Sequence, residues 1–121
     1  MEPKHFETNL AKENEYPKLV RDNAPEIMAQ TKGRIIRTRI LDNDLEFLEF
    51  LLKKVEEESY ELAHAEGRGH LAEEVADMME LFDSLLEVNS LDWSDVMRIK
   101  EEKANKNGKF KKRILLLECE V

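Results

Sequence analysis

Two long helical patterns separated by only three residues constrain this chain more than any other feature. From about Leu45 to Glu66, and again from about His70 to Val88, apolar side chains recur at three- and four-residue spacing. Asp42-Asn43-Asp44 supplies capping residues ahead of the first pattern, and Gly67-Arg68-Gly69 breaks the chain between the two. So short a connection turns the second helix back along the first, and an antiparallel hairpin is expected.

The seams of that hairpin carry acids. On the first helix Leu48, Leu51, Val55 and Leu62 keep the spacing of a buried row, and the row position between Val55 and Leu62 is Glu58, with Glu61 one turn on. On the second, Leu71, Met78, Leu81 and Leu85 form the equivalent row. Glu74 fills its gap and Asp77 follows three residues later. Packing the two rows together gathers four carboxylates. A glutamate-rich helix is ordinarily a solvated face, and Glu56, Glu66, Glu73, Asp83 and Glu87 fit that description. Seam positions do not. Like charges leaving water need a partner, a proton or a metal, and the residues four places after these acids are Leu62, Ala65, Met78 and Leu81. A divalent cation is the economical counter-ion, and an all-oxygen donor set favours Mg2+, with Mn2+ as a substitute. Phe47, Phe50 and Phe82 are expected in the core, and Tyr60 and Trp93 as packing residues.

Charge is distributed unevenly. Between Val55 and Met97 thirteen acids face one arginine, Arg68, so this block carries −12 of a net charge of −8 and the remainder carries +4. An acidic centre between basic flanks argues against a general nucleic-acid binder. No apolar run approaches the roughly 20 residues of a membrane span, and residues 1–15 lack the apolar stretch of a secretory signal. Cys119 is the single cysteine, which fits a reducing compartment. A soluble cytoplasmic protein is the expectation. At 121 residues and 41% hydrophobic, it has material for one core.

The flanks read as lighter structure. Residues 1–15 look like a loosely packed tail, leaving 16–121 as the domain. Pro25 opens a short helix to Gln30, ended by Lys32-Gly33. Residues 34–41 alternate, with Ile36, Thr38 and Ile40 on one side and Arg37 and Arg39 on the other, the pattern of a half-buried strand. Asp92 with Asp95 resembles a capping box, opening a third long helix from Trp93 to Lys106 that Asn107-Gly108 stops. Ile114 to Leu117 reads as a second strand able to pair with the first. The expected fold is therefore mainly α, an antiparallel helical bundle with a minor two-stranded β element.

Glu57-Glu58-Ser59-Tyr60-Glu61, twelve residues, then Glu74-Val75-Ala76-Asp77 resembles the Glu-x-x-Glu, Glu-x-x-Asp signature of the MazG-like all-α nucleoside triphosphate pyrophosphohydrolases. Lys18-Leu19-Val20-Arg21-Asp22 with Pro25-Glu26-Ile27, and Glu102-Lys103 through Lys106-Asn107-Gly108-Lys109-Phe110, look like the subgroup similar to phosphoribosyl-ATP pyrophosphohydrolase. The likeness spans about residues 16–118. It departs where the subgroup commonly carries a glycine pair before the phenylalanine, since Lys109 follows Gly108 here.

That resemblance implies Mg2+-dependent hydrolysis between the α and β phosphates of a nucleotide, giving a monophosphate and pyrophosphate. Glu58, Glu61, Glu74 and Asp77 would be the metal ligands, and Glu57 would join Glu58 in catalysis by orienting water or holding a second ion. Lys18 and Arg21, before the short helix, and Lys103, Lys106 and Lys109, at the end of the third long helix, would hold phosphates. A noncanonical triphosphate and phosphoribosyl-ATP are the two substrate expectations. Two long helices and a shorter one enclose little, so a homodimer or larger homo-oligomer is expected. Two other readings compete. Glu61-Leu62-Ala63-His64 has the Glu-x-x-His form of di-iron bundles but lacks a second such pair. A non-enzymatic acidic module binding a basic partner would use the same surface.

Overall fold

The computed structural model describes residues 16–121. Among these residues four helices run in order: α1 (Ala24–Ala29), α2 (Asp44–Ala63), α3 (Gly67–Val88) and α4 (Trp93–Asn107). The chain divides after Asn89 into two compact units, the first containing α1 to α3 and the second containing α4 and the C-terminal segment. No helix among the described residues is long and apolar enough to cross a membrane. The expected tail, residues 1–15, lies outside the described residues.

In the first unit α2 and α3 pack along each other as the hairpin. Asn43 caps α2, its side chain accepting the amides of Leu45 at 2.8 Å and Glu46 at 3.2 Å. The turn sits three residues earlier than the glycine pattern suggests. α2 stops at Ala63, and the His64 amide returns to the Tyr60 and Glu61 carbonyls. Gly67 takes φ of +84° as the first residue of α3, so its left-handed freedom serves the entry into that helix. Gly69 lies within its first turn.

The core is thin. Leu51, 1% exposed, is the one fully buried apolar residue among those described. Leu48, Val55, Leu62, Met78, Leu81 and Leu85 are half-buried along the seam, whereas Leu71, expected in the same row, is exposed beside the turn. Phe47 and Phe50 are half-buried and Phe82 and Trp93 are exposed, so the aromatic core expected from the sequence is only partly formed within one chain. Tyr60 is half-buried and stacks on His64 with ring centroids 4.1 Å apart.

No strand forms among the described residues, in contrast to the expected pairing of 34–41 with 114–117. A lone strand leaves its backbone groups and both faces without partners, so alternation by itself does not produce one. Ile36 is half-buried while Ile35 and Ile40 are exposed, and Arg39 reaches Glu46 in the first turn of α2 at 2.7 Å. Ile114, Leu115, Leu116 and Leu117 are all exposed.

The second unit is organised by local hydrogen bonds. The capping box at its start is formed: the Asp92 side chain accepts the Asp95 amide at 3.1 Å, and the Asp95 side chain accepts the Asp92 amide at 3.0 Å. Gly108, with φ of +85°, ends α4.

Candidate metal centre

Among the described residues, four of the five most buried are glutamates. Glu57, Glu58 and Glu61 on α2 and Glu74 on α3 are between 4% and 8% exposed. Helical spacing explains it: 58 and 61 lie one turn apart on α2, and α3 brings Glu74 across from them. Glu58, Glu61 and Glu74 each offer a carboxylate oxygen, and the three atoms lie within 4.8 Å of one another.

Each glutamate keeps one oxygen buried without a hydrogen-bond partner: Oε1 of Glu57, Oε2 of Glu58, Oε1 of Glu61 and Oε2 of Glu74. Unpaired buried polar atoms of this kind are costly and rare. Two of the opposite oxygens have fixed partners. Glu57 Oε2 receives Lys54 Nζ at 3.2 Å, and Glu74 Oε1 receives His70 Nε2 at 3.2 Å.

Burial is the main reason that the Glu58 carboxyl is raised to about 7; Lys54 pulls it down, while Asp77 pushes it further up. Glu61 is raised to about 8, again chiefly by burial and then by the charge of Glu58, with Glu74 and Glu57 adding to it. Near neutral pH the cation-free cluster therefore relieves its own repulsion by holding protons, and Glu58 and Glu61 titrate as a linked pair. The orphaned oxygens and the hard, all-oxygen donor set fit Mg2+ or Mn2+.

The other expected site residues fall into three groups. Asp77 is half-buried and stands outside the three-carboxylate group; its Oδ1 accepts Arg21 Nη2 at 2.7 Å, so an expected ligand and an expected phosphate contact are paired with each other. Lys18 is half-buried and its ammonium lies 5.3 Å from the centre of the Tyr16 ring. Lys103 and Lys106 on α4, and Lys109 beyond it, are exposed residues of the second unit.

Two residues of the cluster are absent from the signature and from the seam pattern, Lys54 and His70. Lys54 stands four places before Glu58, so the helical spacing that puts only apolar residues four places after each acid puts a cation on the other side. His70, expected at the start of the second long helix, precedes Glu74 by the same four residues. His64, the histidine in the Glu-x-x-His pattern, points its Nδ1 to the Tyr60 carbonyl oxygen at 2.8 Å.

No family model, curated protein or solved structure matches the chain. The likeness to the pyrophosphohydrolases thus rests on the signature residues.

Proposed function

We propose that the chain is a Mg2+-dependent nucleotide pyrophosphohydrolase that cleaves a nucleoside triphosphate at the α–β anhydride, releasing a monophosphate and pyrophosphate. The observation that carries this reading is the group of Glu58, Glu61 and Glu74, with buried, unpartnered oxygens on all three. These three would hold the ion, with Asp77 joining once released from Arg21. The bound ion would screen phosphate oxygens and favour water as nucleophile.

The protein's own groups supply the rest. Glu57, buried with Oε1 free of partners, is suited to accept a proton from the attacking water. Arg21, displaced from Asp77, gains phosphate oxygens as a bidentate partner, and Lys18 adds charge beside it. Lys103, Lys106 and Lys109 are further phosphate contacts in this reading. Phosphoribosyl-ATP is the alternative substrate, and a cytoplasmic setting accords with the single exposed cysteine.

A second copy of the chain completes the proposed MazG-like bundle. Leu71, Val75, Met79 and Phe82 recur at three- and four-residue spacing along α3 and are exposed, as is Leu52 on α2. With so little buried inside one chain, such a stripe is suited to association. The minor β element is proposed as part of that assembled form.

The deciding experiment offers a panel of canonical and noncanonical triphosphates and phosphoribosyl-ATP with Mg2+, and separates pyrophosphate from orthophosphate. Pyrophosphate with a monophosphate is expected. Orthophosphate alone would reject the bond assignment, and no hydrolysis together with no divalent-ion binding would turn the cluster into an acidic interaction surface.

A further inference from the structure

His70 lies where the turn meets the cluster. Glu66 is the N-cap of α3 and provides no side-chain cap of its own. Its backbone N–H points instead to His70 Nδ1 at 3.1 Å. An amide can only donate, so Nδ1 is the acceptor and carries no proton. In the neutral ring the proton then resides on Nε2, the atom 3.2 Å from Glu74 Oε1. The tautomer thus follows from the backbone of the turn.

The consequence falls on Glu74. One carboxylate oxygen is occupied by the imidazole, and the other, Oε2, is buried without a partner and belongs to the residue that α3 contributes to the three-carboxylate group. Glu58 and Glu61 are neighbours on one helix, whereas Glu74 must be brought from the other. Its rotamer is the one whose error would most directly open the group.

We propose that His70 is the positioning residue of the metal centre: held by the Glu66 amide as the Nε2–H tautomer, it fixes the Glu74 carboxylate so that Oε2 faces Glu58 and Glu61. This rests on the metal-centre reading, but it concerns residues that the signature does not contain. Outer partners of this type commonly govern ligand orientation, and their loss costs about 10- to 100-fold in metal affinity.

Two measurements on the full chain test it separately from the metal reading. Long-range 1H–15N correlation of the metal-free protein above neutral pH should show a protonated Nε2 and an unprotonated, hydrogen-bonded Nδ1 for His70. A protonated Nδ1 would overturn the proposal whatever the metal does. Mn2+ titration followed by electron paramagnetic resonance should show tight binding by the parent and a loss of about 10- to 100-fold in His70→Phe. Partial recovery is expected in His70→Asn, whose amide can both accept and donate. His64→Ala, which removes the imidazole stacked on Tyr60, should bind as the parent. Equal Mn2+ affinity in the parent and a folded His70→Phe, checked by circular dichroism, would overturn His70 alone. No Mn2+ binding by the parent would overturn the centre and with it this inference.

Discussion

The α2–α3 hairpin and the C-terminal unit are stabilised in opposite ways. In the hairpin the most buried positions hold one leucine and four glutamates, so burial there serves charge at the expense of apolar packing. In the C-terminal unit no residue is fully buried; α4 is set by a capping box and a terminal glycine, and Phe110 and Ile114 to Leu117 lie exposed. Neutralising a cluster carboxylate should therefore stabilise the first region in its cation-free form, whereas removing a capping carboxylate should weaken the second. The contrast also separates a cluster whose buried oxygens lack partners from a helix whose ends are locally satisfied.

The strongest way to break the contrast is to neutralise a cluster carboxylate. Glu58→Gln and Glu61→Gln should each abolish or severely reduce hydrolysis, yet melt at the parental temperature or above it in metal-free buffer. A neutral amide removes like-charge repulsion while keeping hydrogen-bonding capacity. Mg2+ should reverse that order, since an ion bound only by the folded parent adds RT ln(1 + [L]/Kd), about 2.7 kcal/mol at a hundredfold excess over Kd. Paired thermal melts with and without Mg2+ check this, with Glu87→Gln, on an exposed face, as the variant expected to follow the parent. Parental activity and a parental Mg2+ response in both cluster variants would remove the metal centre.

The next effect is linkage to pH. Glu58 and Glu61 have folded values of about 7 and about 8 against an ordinary 4.5, so between these limits the folded state holds more protons than the unfolded one. Stability of the cation-free hairpin then falls as pH rises from about 4.5 through about 8, and the favourable protonated state is complete only at the acidic end. Mg2+ competes for the same oxygens, so its binding near neutral pH should release protons. Calorimetric titration in buffers of different ionisation enthalpy reads that release directly. An enthalpy independent of buffer would contradict the raised values.

How much of this was legible in the sequence divides along physical lines. Helix positions and seam acids follow from periodicity, which depends only on the chain's own geometry, and so do the Asn43 cap and the Asp92 box. The burial of Glu57 was not legible, because position 57 lies off the seam and only the three-dimensional packing distinguishes it from Glu56. The pairing of Arg21 with Asp77 joins residues 56 apart in sequence, and no local spacing encodes it. The strands expected at 34–41 and 114–117 show the converse, since alternation describes a surface and pairing needs a neighbour. Lys54 and His70 were legible in principle at four-residue spacing.

Lys54 offers the third test. Its side chain is 13% exposed and that of Glu57 4%, so Lys54→Met strands a buried carboxylate. A loss on the order of 3 kcal/mol is expected in metal-free urea denaturation, because breaking a buried pair leaves one charge uncompensated. Mg2+ should recover part of the loss. An unchanged urea midpoint would mean that Glu57 needs no cation.

A smaller effect is expected at the rim. Arg21 and Asp77 are substantially exposed, and such a pair contributes at most about 1 kcal/mol to folding. Arg21→Ala should leave the melting temperature nearly unchanged and raise the Michaelis constant for a triphosphate several-fold, as one bidentate phosphate contact is lost. Steady-state kinetics identical to the parent would remove Arg21 from the phosphate site.

The smallest effect, and the one opposite in sign, lies at the start of α4. The Asp92 carboxyl is held below its ordinary 3.8, first by the hydroxyl of Ser94 and then by the amide of Asp95. A lowered folded value means that the ionised cap contributes in full above the ordinary value and is lost as pH falls through the folded one. Acid should therefore fray α4 at its first turn, over a range in which Glu58 and Glu61 are already protonated and the cation-free hairpin is at its most stable. Residue-resolved amide exchange on lowering pH should show the Asp95 amide losing protection while amides of α2 around Glu58 keep theirs. Asp92→Ala should produce the same local loss at neutral pH and leave Mn2+ affinity unchanged, because the substitution removes a cap and no cluster oxygen. Simultaneous loss of protection in both regions would show that the two units share one cooperative transition, and the contrast in how they are stabilised would then have no thermodynamic expression.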